Sequence, residues 1–238
     1  MEISPMERSE QVATLRVQGL TPKEIARRLG MRPAEVSAIV QANAGRIAQQ
    51  AGSDLPTPIV ACFINRGWSA GLELDGAPPE WSDAKGAESG ARGLVNVLVA
   101  RRHRYGNVVA CGYLVDVFCL GVKDSLGPKT MSEEEWRAFV PRYFQAFDDP
   151  PLAIPIGLAQ CIVLGAVDYA RSLGFEPHAD FTRTRSLLGA WEGPIPITFG
   201  ESGRPMYCAG PRDDSSRILA TLRRTVGEGN FHFLAVLG

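Results

Sequence analysis

The chain lacks most of the short signatures that announce a chemistry. Neither G-x-G-x-x-G nor G-x-x-x-x-G-K-[ST] occurs, so no glycine loop for nucleotide phosphates is encoded. G-x-S-x-G occurs once, as "GWSAG" over residues 67–71, but the Gly- and Pro-rich stretch after it carries no helix signal for the strand-turn-helix of a hydrolase nucleophile elbow. The five cysteines, Cys62, Cys111, Cys119, Cys161 and Cys208, include no C-x-x-C pair. An odd count at irregular spacing argues against both a disulfide framework and a zinc ribbon. Set among apolar and small neighbours, they read as buried reduced thiols of a cytoplasmic protein. Strong net charge is missing: 25 basic and 26 acidic residues leave −1, so no global polycation advertises nucleic acid. The opening "MEISPMERSEQ" has no basic start and no apolar core, unlike a signal peptide. A long apolar span is missing as well. Residues 150–167 carry no charge, but they contain Pro155 and Gln160 and stop at Asp168. A membrane helix needs about 20 apolar residues, so this stretch reads as a helix inside a folded domain. Neither membrane nor cofactor is expected.

What is present divides the sequence in two. Three helical segments are expected first, over residues 8–18, 22–29 and 33–49, forming a module of residues 1–50. Residues 51–58 lie in "QQAGSDLPTP", whose Gly, Ser, Asp and prolines have linker composition. Residues 59–238 then alternate strand and helix signals, which predicts an α+β domain with a mostly antiparallel sheet. "PIVACFINRGW" opens it as a strand. Residues 74–93, rich in Gly, Pro, Ala and charge, read as a long loop or lid. "GLVNVLVA", the turn "RRHRYGN" and "VVACGYLVDVFCLGV" predict a hairpin. Its second strand is apolar on both faces and therefore interior. Ser132 and Glu135 have capping-box spacing ahead of "EEWRAFVPRYFQAF". An apolar helix over 154–173 ends at Gly174, and "ADFTRTRSLLG" reads as another. The end is expected to run strand, glycine turn, strand, capped helix and strand.

The richest local pattern is "GLTPKEIARRLGMRPAEVSAIV", residues 19–40. Thr21 and Glu24 form a capping box, and Pro22 suits the first helical position. Ile25, Ala26 and Leu29 give one helix an apolar face; Val36 and Ile39 give the next its own. Gly30 allows the left-handed backbone of a sharp turn between them, and Met31 tucks inward. In this set the chain resembles the helix-turn-helix modules of bacterial regulators and sigma-type factors, over about 35 of 238 residues. The resemblance implies a recognition helix starting at Pro33 and lying in the major groove of double-stranded DNA. The residues it puts toward DNA are Thr21, Lys23, Arg27, Arg28, Arg32, Ser37 and Gln41. Residues 1–52 hold seven basic and five acidic side chains, against 18 and 21 in the remainder. That asymmetry is small but has the sign phosphate contacts need.

No family likeness attaches to residues 59–238. Asp116, within "YLVDVFCLGVKD", must find partners if it is buried in a strand. It reads either as a structural carboxylate or as the general base or metal ligand of a nuclease. The nuclease spacing of an acid two residues before a lysine is absent here, since Gly121 and Val122 precede Lys123. His103, among Arg101, Arg102 and Arg104, reads as a solvated turn residue. His178 and Asp180, with Glu176 close by, read as metal ligands or as an ordinary helix exit and re-entry. His232, between Phe231 and Phe233, faces solvent or a groove. Asp213 and Asp214 already place negative charge at a helix N-terminus, which disfavours phosphate there. No catalytic residue and no metal ligand is assigned. The expected protein is a cytoplasmic, homodimeric, transcriptional-regulator-like DNA binder. Its larger domain would dimerise it or sense a small ligand or protein partner. The alternatives are a nucleic-acid hydrolase targeted by the small module, and a module binding protein or RNA.

Overall fold

In the computed structural model the chain divides into two units, residues 1–55 and 56–238. The described residues are 8–9, 11–12, 14–15, 20–40, 57–81, 83, 93–103, 106–191, 193–211 and 213–234. The end of the third expected helix and most of the expected linker fall outside them.

Two short helices make up the described continuous part of the smaller unit. The first, α1 (Pro22–Leu29), starts with a complete capping box. The Thr21 hydroxyl accepts from Glu24 N–H, and the Glu24 carboxylate accepts from Thr21 N–H. It stops at Gly30, whose φ of 64° lies in the left-handed region. The chain then re-enters a helix, α2, over residues 33–40, where the described stretch ends. Ile25, Ala26 and Val36 are buried against one another, with Val12 and Leu15 from the partly described segment before α1. Leu29, Met31 and Ile39 pack around them. The described continuous structure is thus a pair of short helices rather than the full three-helix module expected.

The larger unit is α+β, around a five-stranded antiparallel sheet ordered β4-β3-β2-β1-β5. The strands are β1 (Ile59–Ile64), β2 (Leu94–Arg102), β3 (Val108–Asp116), β4 (Gly121–Met131) and β5 (Leu152–Ala153). Side chains alternate across it as strand geometry demands. Val95, Val97 and Val99 of β2, with Cys111, Tyr113 and Val115 of β3, point to one face. Leu98, Ala100, Val108 and Ala110 point to the other. Both faces are covered, which is why these strands read as nearly continuous apolar runs. The first face packs on α4 (Ile156–Ser172) and α5 (Phe181–Leu188), through Leu158, Ile162, Ala166, Phe181 and Leu188. The second packs on α3 (Glu133–Tyr143), through Trp136 and Phe139. The Ser132–Glu135 capping box starts α3 as expected.

Several elements depart from the sequence reading. The strand expected to run to residue 122 stops at Asp116; residues 117–120 turn and β4 returns beside it. Length and apolarity could not mark that reversal, because the turn "VFCL" is itself apolar and, but for half-buried Leu120, buried. The expected "RRHRYGN" turn is shorter than drawn: Arg101 and Arg102 belong to β2, and Arg101 is buried. The strand expected near residues 196–199 is a single bridge, Glu73 to Thr198. At the end, β6 (Met206–Cys208) and β7 (His232–Leu234) form a separate pair that is parallel, not antiparallel. The helix α6 (Ser215–Thr225) provides the crossover that a parallel pair requires. A loop was expected over residues 74–93, yet Pro79–Trp81 forms a 3-10 turn that buries Trp81 in the main core. Among the described residues, no helix is long and apolar enough to cross a membrane.

The start of the larger unit is fixed by hydrogen bonds. Arg101 Nη1 donates to Thr57 O (2.7 Å) and Arg102 N–H donates to Pro58 O (2.8 Å). A fragment beginning near Asp54 is expected to fold with a cooperative melt. One beginning at Ile59 strips a buried guanidinium of an acceptor and is expected to be less stable by about 1–3 kcal/mol. Denaturant melts of the two fragments check this; equal stabilities would contradict it.

Candidate functional site

The residues assigned to DNA are not equally available. Lys23, Arg27 and Arg28 are exposed on α1, with Lys23 and Arg27 one turn apart. Ser37 is exposed on α2, while Gln41 lies outside the described residues. The Thr21 hydroxyl is already used: it accepts from Glu24 N–H (3.3 Å) and donates to Glu24 Oε2 (2.7 Å). Arg32 is engaged by its own helix. Its Nη2 sits 2.8 Å from Glu35 Oε1, and its backbone N–H donates to Glu35 Oε2 at 2.9 Å. These bonds hold the Glu35 carboxyl below its usual range and raise Arg32 above its own. The face therefore offers three exposed cations from α1, Arg27 among them acting on the Glu24 carboxylate, and a neutralised Arg32–Glu35 pair at the start of α2.

Asp116 is placed by the turn that the sequence did not reveal. It is 5% exposed, and its Oδ1 accepts from the N–H groups of Phe118 and Cys119, each at 3.0 Å. Burial raises its pKa to about 6. The Phe118 N–H, the Lys123 ammonium and the N–H groups of Cys119 and Leu120 act the other way. A carboxylate committed to backbone donors in a turn is a structural group. Gly121 follows with φ 67°, and a Cβ there would come within 2.9 Å of Ala166 O on α4, so the chain must be bare at that point.

The remaining candidates separate. His178 meets Asp180 as the sequence indicated, but the third group is Asp124 of β4, which the sequence reading missed. Glu176 instead pairs with Arg171 at 3.0 Å. His232 is exposed, its Nε2 3.2 Å from Arg204 Nη1. Asp214 caps α6, accepting from Arg217 N–H at 3.1 Å. Asp213 forms a half-buried ion pair with Lys123 (2.8 Å) and accepts from Gly210 N–H (2.9 Å), fastening the α6 entrance to β4. Four of the five cysteines are buried, and burial pushes Cys62 up to about 11 and Cys111 and Cys161 to about 12. Such thiols stay protonated and are poor nucleophiles. Arg101 was also missed. Its guanidinium donates to Leu187 O (2.6 Å), Leu188 O (3.1 Å) and Thr57 O, closing the C-terminal end of α5. Its β-branched and apolar neighbours in β2 gave the only hint that it lay in the strand.

No protein-family model, curated protein or solved structure matches the chain. The functional reading therefore stands on the residues themselves.

The Asp116 geometry sets a stability test. Asp116→Ala leaves two buried N–H groups without their acceptor and is expected to cost about 2–5 kcal/mol. Asp116→Asn keeps an oxygen in place and should cost far less. The folded carboxyl, at about 6, holds its proton more tightly than the unfolded one at 3.8. Its contribution is thus fully present below about pH 4 and is lost as pH rises through about 6. Melts across pH 4–8 should show the wild type losing ground to Asp116→Asn over that window. A parallel pH dependence in the two proteins would contradict the assignment.

Proposed function

We propose that the chain is a DNA-binding protein of regulator type, contacting duplex through the α1–turn–α2 segment as the reading helix pair of a three-helix helix-turn-helix module. The observation that carries this reading is the arrangement of residues 21–40. A capped helix, a left-handed Gly30 and a second helix bury Ile25, Ala26 and Val36 together. Lys23, Arg27, Arg28 and Ser37 are left outside. A short helix presented this way suits the major groove, where its first turns meet base edges. The α1 cations supply phosphate contacts, which dominate affinity without reading sequence. Few side chains remain for bases, so one copy binds weakly. Two copies joined through the larger unit, on half-sites about 34–36 Å apart, overcome that weakness. The larger unit then dimerises the protein and carries the response to a ligand or partner. The carboxylate of Asp116, held by backbone donors, weighs against the alternative of a nuclease built on that residue.

Mobility shifts with genomic fragments test the reading. Arg27→Ala and Arg28→Ala should each weaken binding to all sequences and lower the salt slope by about one ion. Ser37→Ala and Gln41→Ala should instead lose about 1–3 kcal/mol of discrimination at single base positions. Glu35→Gln should strengthen binding and steepen the slope by about one ion, because it releases Arg32 and removes a charge that repels phosphate. Unchanged binding in a combined Arg27, Arg28 and Gln41 alanine variant would falsify the recognition-helix assignment and favour a protein-binding surface.

A further inference from the structure

We infer that Asp124, His178 and Asp180 form a site for one divalent transition-metal ion of the zinc or cobalt class. The three come from places 56 residues apart, on β4 and on the segment entering α5. The His178 ring Nδ1 lies 4.0 Å from Asp124 Oδ1 and 3.9 Å from Asp180 Oδ2. One ligand atom from each residue lies within 4.8 Å of the other two. An ion with bonds of about 2.0–2.1 Å holds tetrahedral neighbours roughly 3.3 Å apart. Closing the group onto an ion therefore needs shifts of less than about 1 Å, which exposed side chains make by small torsional changes.

The backbone under the site is well held. His178 N–H donates to Val122 O (2.9 Å), two residues from Asp124 on the same strand. Phe181 N–H donates to His178 O (2.9 Å), and the Phe181 ring packs edge-on against Tyr113 of β3. Two carboxylates and an imidazole nitrogen face one another at the surface. Asp180 occupies the N-cap position of α5 yet makes no side-chain capping bond. Its Oδ1 takes Arg183 (2.6 Å), and its Oδ2 is turned to His178. In the tautomer that carries its proton on Nε2, His178 Nδ1 accepts from Asp180 N–H at 3.3 Å, and its lone pair lies near both carboxylates. The Ser125 N–H, which Asp124 Oδ1 accepts at 2.8 Å, and the Arg183 guanidinium offset part of the negative charge, and a divalent ion offsets the rest. An ion there takes that lone pair in place of the long N–H contact. The imidazole selects against calcium and magnesium, which prefer oxygen alone, and suits zinc, cobalt or manganese. Two carboxylates balance the charge of a divalent ion. Side-chain exposures of 63%, 44% and 41% for Asp124, His178 and Asp180 leave room for waters to complete the shell. The site is independent of the DNA reading, because it lies wholly in the larger unit.

Titration calorimetry of the full-length protein with zinc or cobalt chloride alone tests this. One ion per chain is expected. Asp124→Asn, His178→Ala and Asp180→Asn should each weaken binding about tenfold or more, since even groups behind the ligands carry tenfold effects. Glu176→Gln, whose carboxylate faces Arg171, should bind as the wild type does. A readout that needs no variant is paramagnetic broadening by cobalt in the wild-type protein. It should fall on amide signals of residues 122–126 and 176–183. Absence of saturable zinc or cobalt binding, unchanged affinity in the Asp124 and His178 variants, tighter binding of calcium than of zinc, or broadening centred elsewhere would each overturn the assignment.

Discussion

Much of the larger unit converges on one turn held by one carboxylate. Asp116 sits at the end of β3 and receives the N–H groups of Phe118 and Cys119, which reverses the chain into β4. Around that turn, Val117 N–H meets Gly93 O, Gly200 N–H meets Val117 O, and Met206 N–H meets Phe118 O. Val117 and Phe118 belong to the main core, while Cys119 belongs to the cluster of Tyr207, Leu222 and Phe231. The turn therefore joins the sheet to the β6–α6–β7 end of the chain. An apolar buried turn has no water to satisfy its donors, so an acceptor must be built in. Asp116 is that acceptor, at the expense of a raised pKa.

The sheet explains the helices around it. With both faces apolar, β2 and β3 require cover on each side, which α3 supplies on one and α4 with α5 on the other. Arg101 meets the same demand at the end of α5. Helix C-termini leave carbonyls without partners. A guanidinium fixed in β2 reaches two of them, while Gln160 of α4 donates to Leu188 O and Ala190 O nearby. The larger unit thus uses two charged groups, Asp116 and Arg101, to satisfy backbone atoms that the fold removes from water. Both are buried and bonded to backbone groups.

The two units differ in how they use charge. In the smaller one, cations at Lys23, Arg27 and Arg28 stay exposed on α1, and the acid Glu24 is tied to the cap of the same helix. In the larger one, Lys123 and Asp213 neutralise each other at a half-buried junction. A chain of nearly zero net charge can in this way present a locally basic helix, which total composition conceals.

The amino-acid sequence alone determined what is local. The capping boxes at Thr21–Glu24 and Ser132–Glu135, the left-handed Gly30, the apolar helix ending before Gly174 and the apolar strands were all legible. Each depends on residues within one or two turns of one another. His178 and Asp180 were legible as a pair for the same reason. The fold alone decided which distant group answers each need. That includes Asp124 beside His178, the carbonyls of Leu187 and Leu188 for Arg101 and the parallel pairing of β6 with β7. A sequence records the conformational preferences of its backbone and the polarity of its side chains. It does not record which donor meets which acceptor across 50 to 90 residues of chain, because that follows only when the sheet closes and both faces are covered.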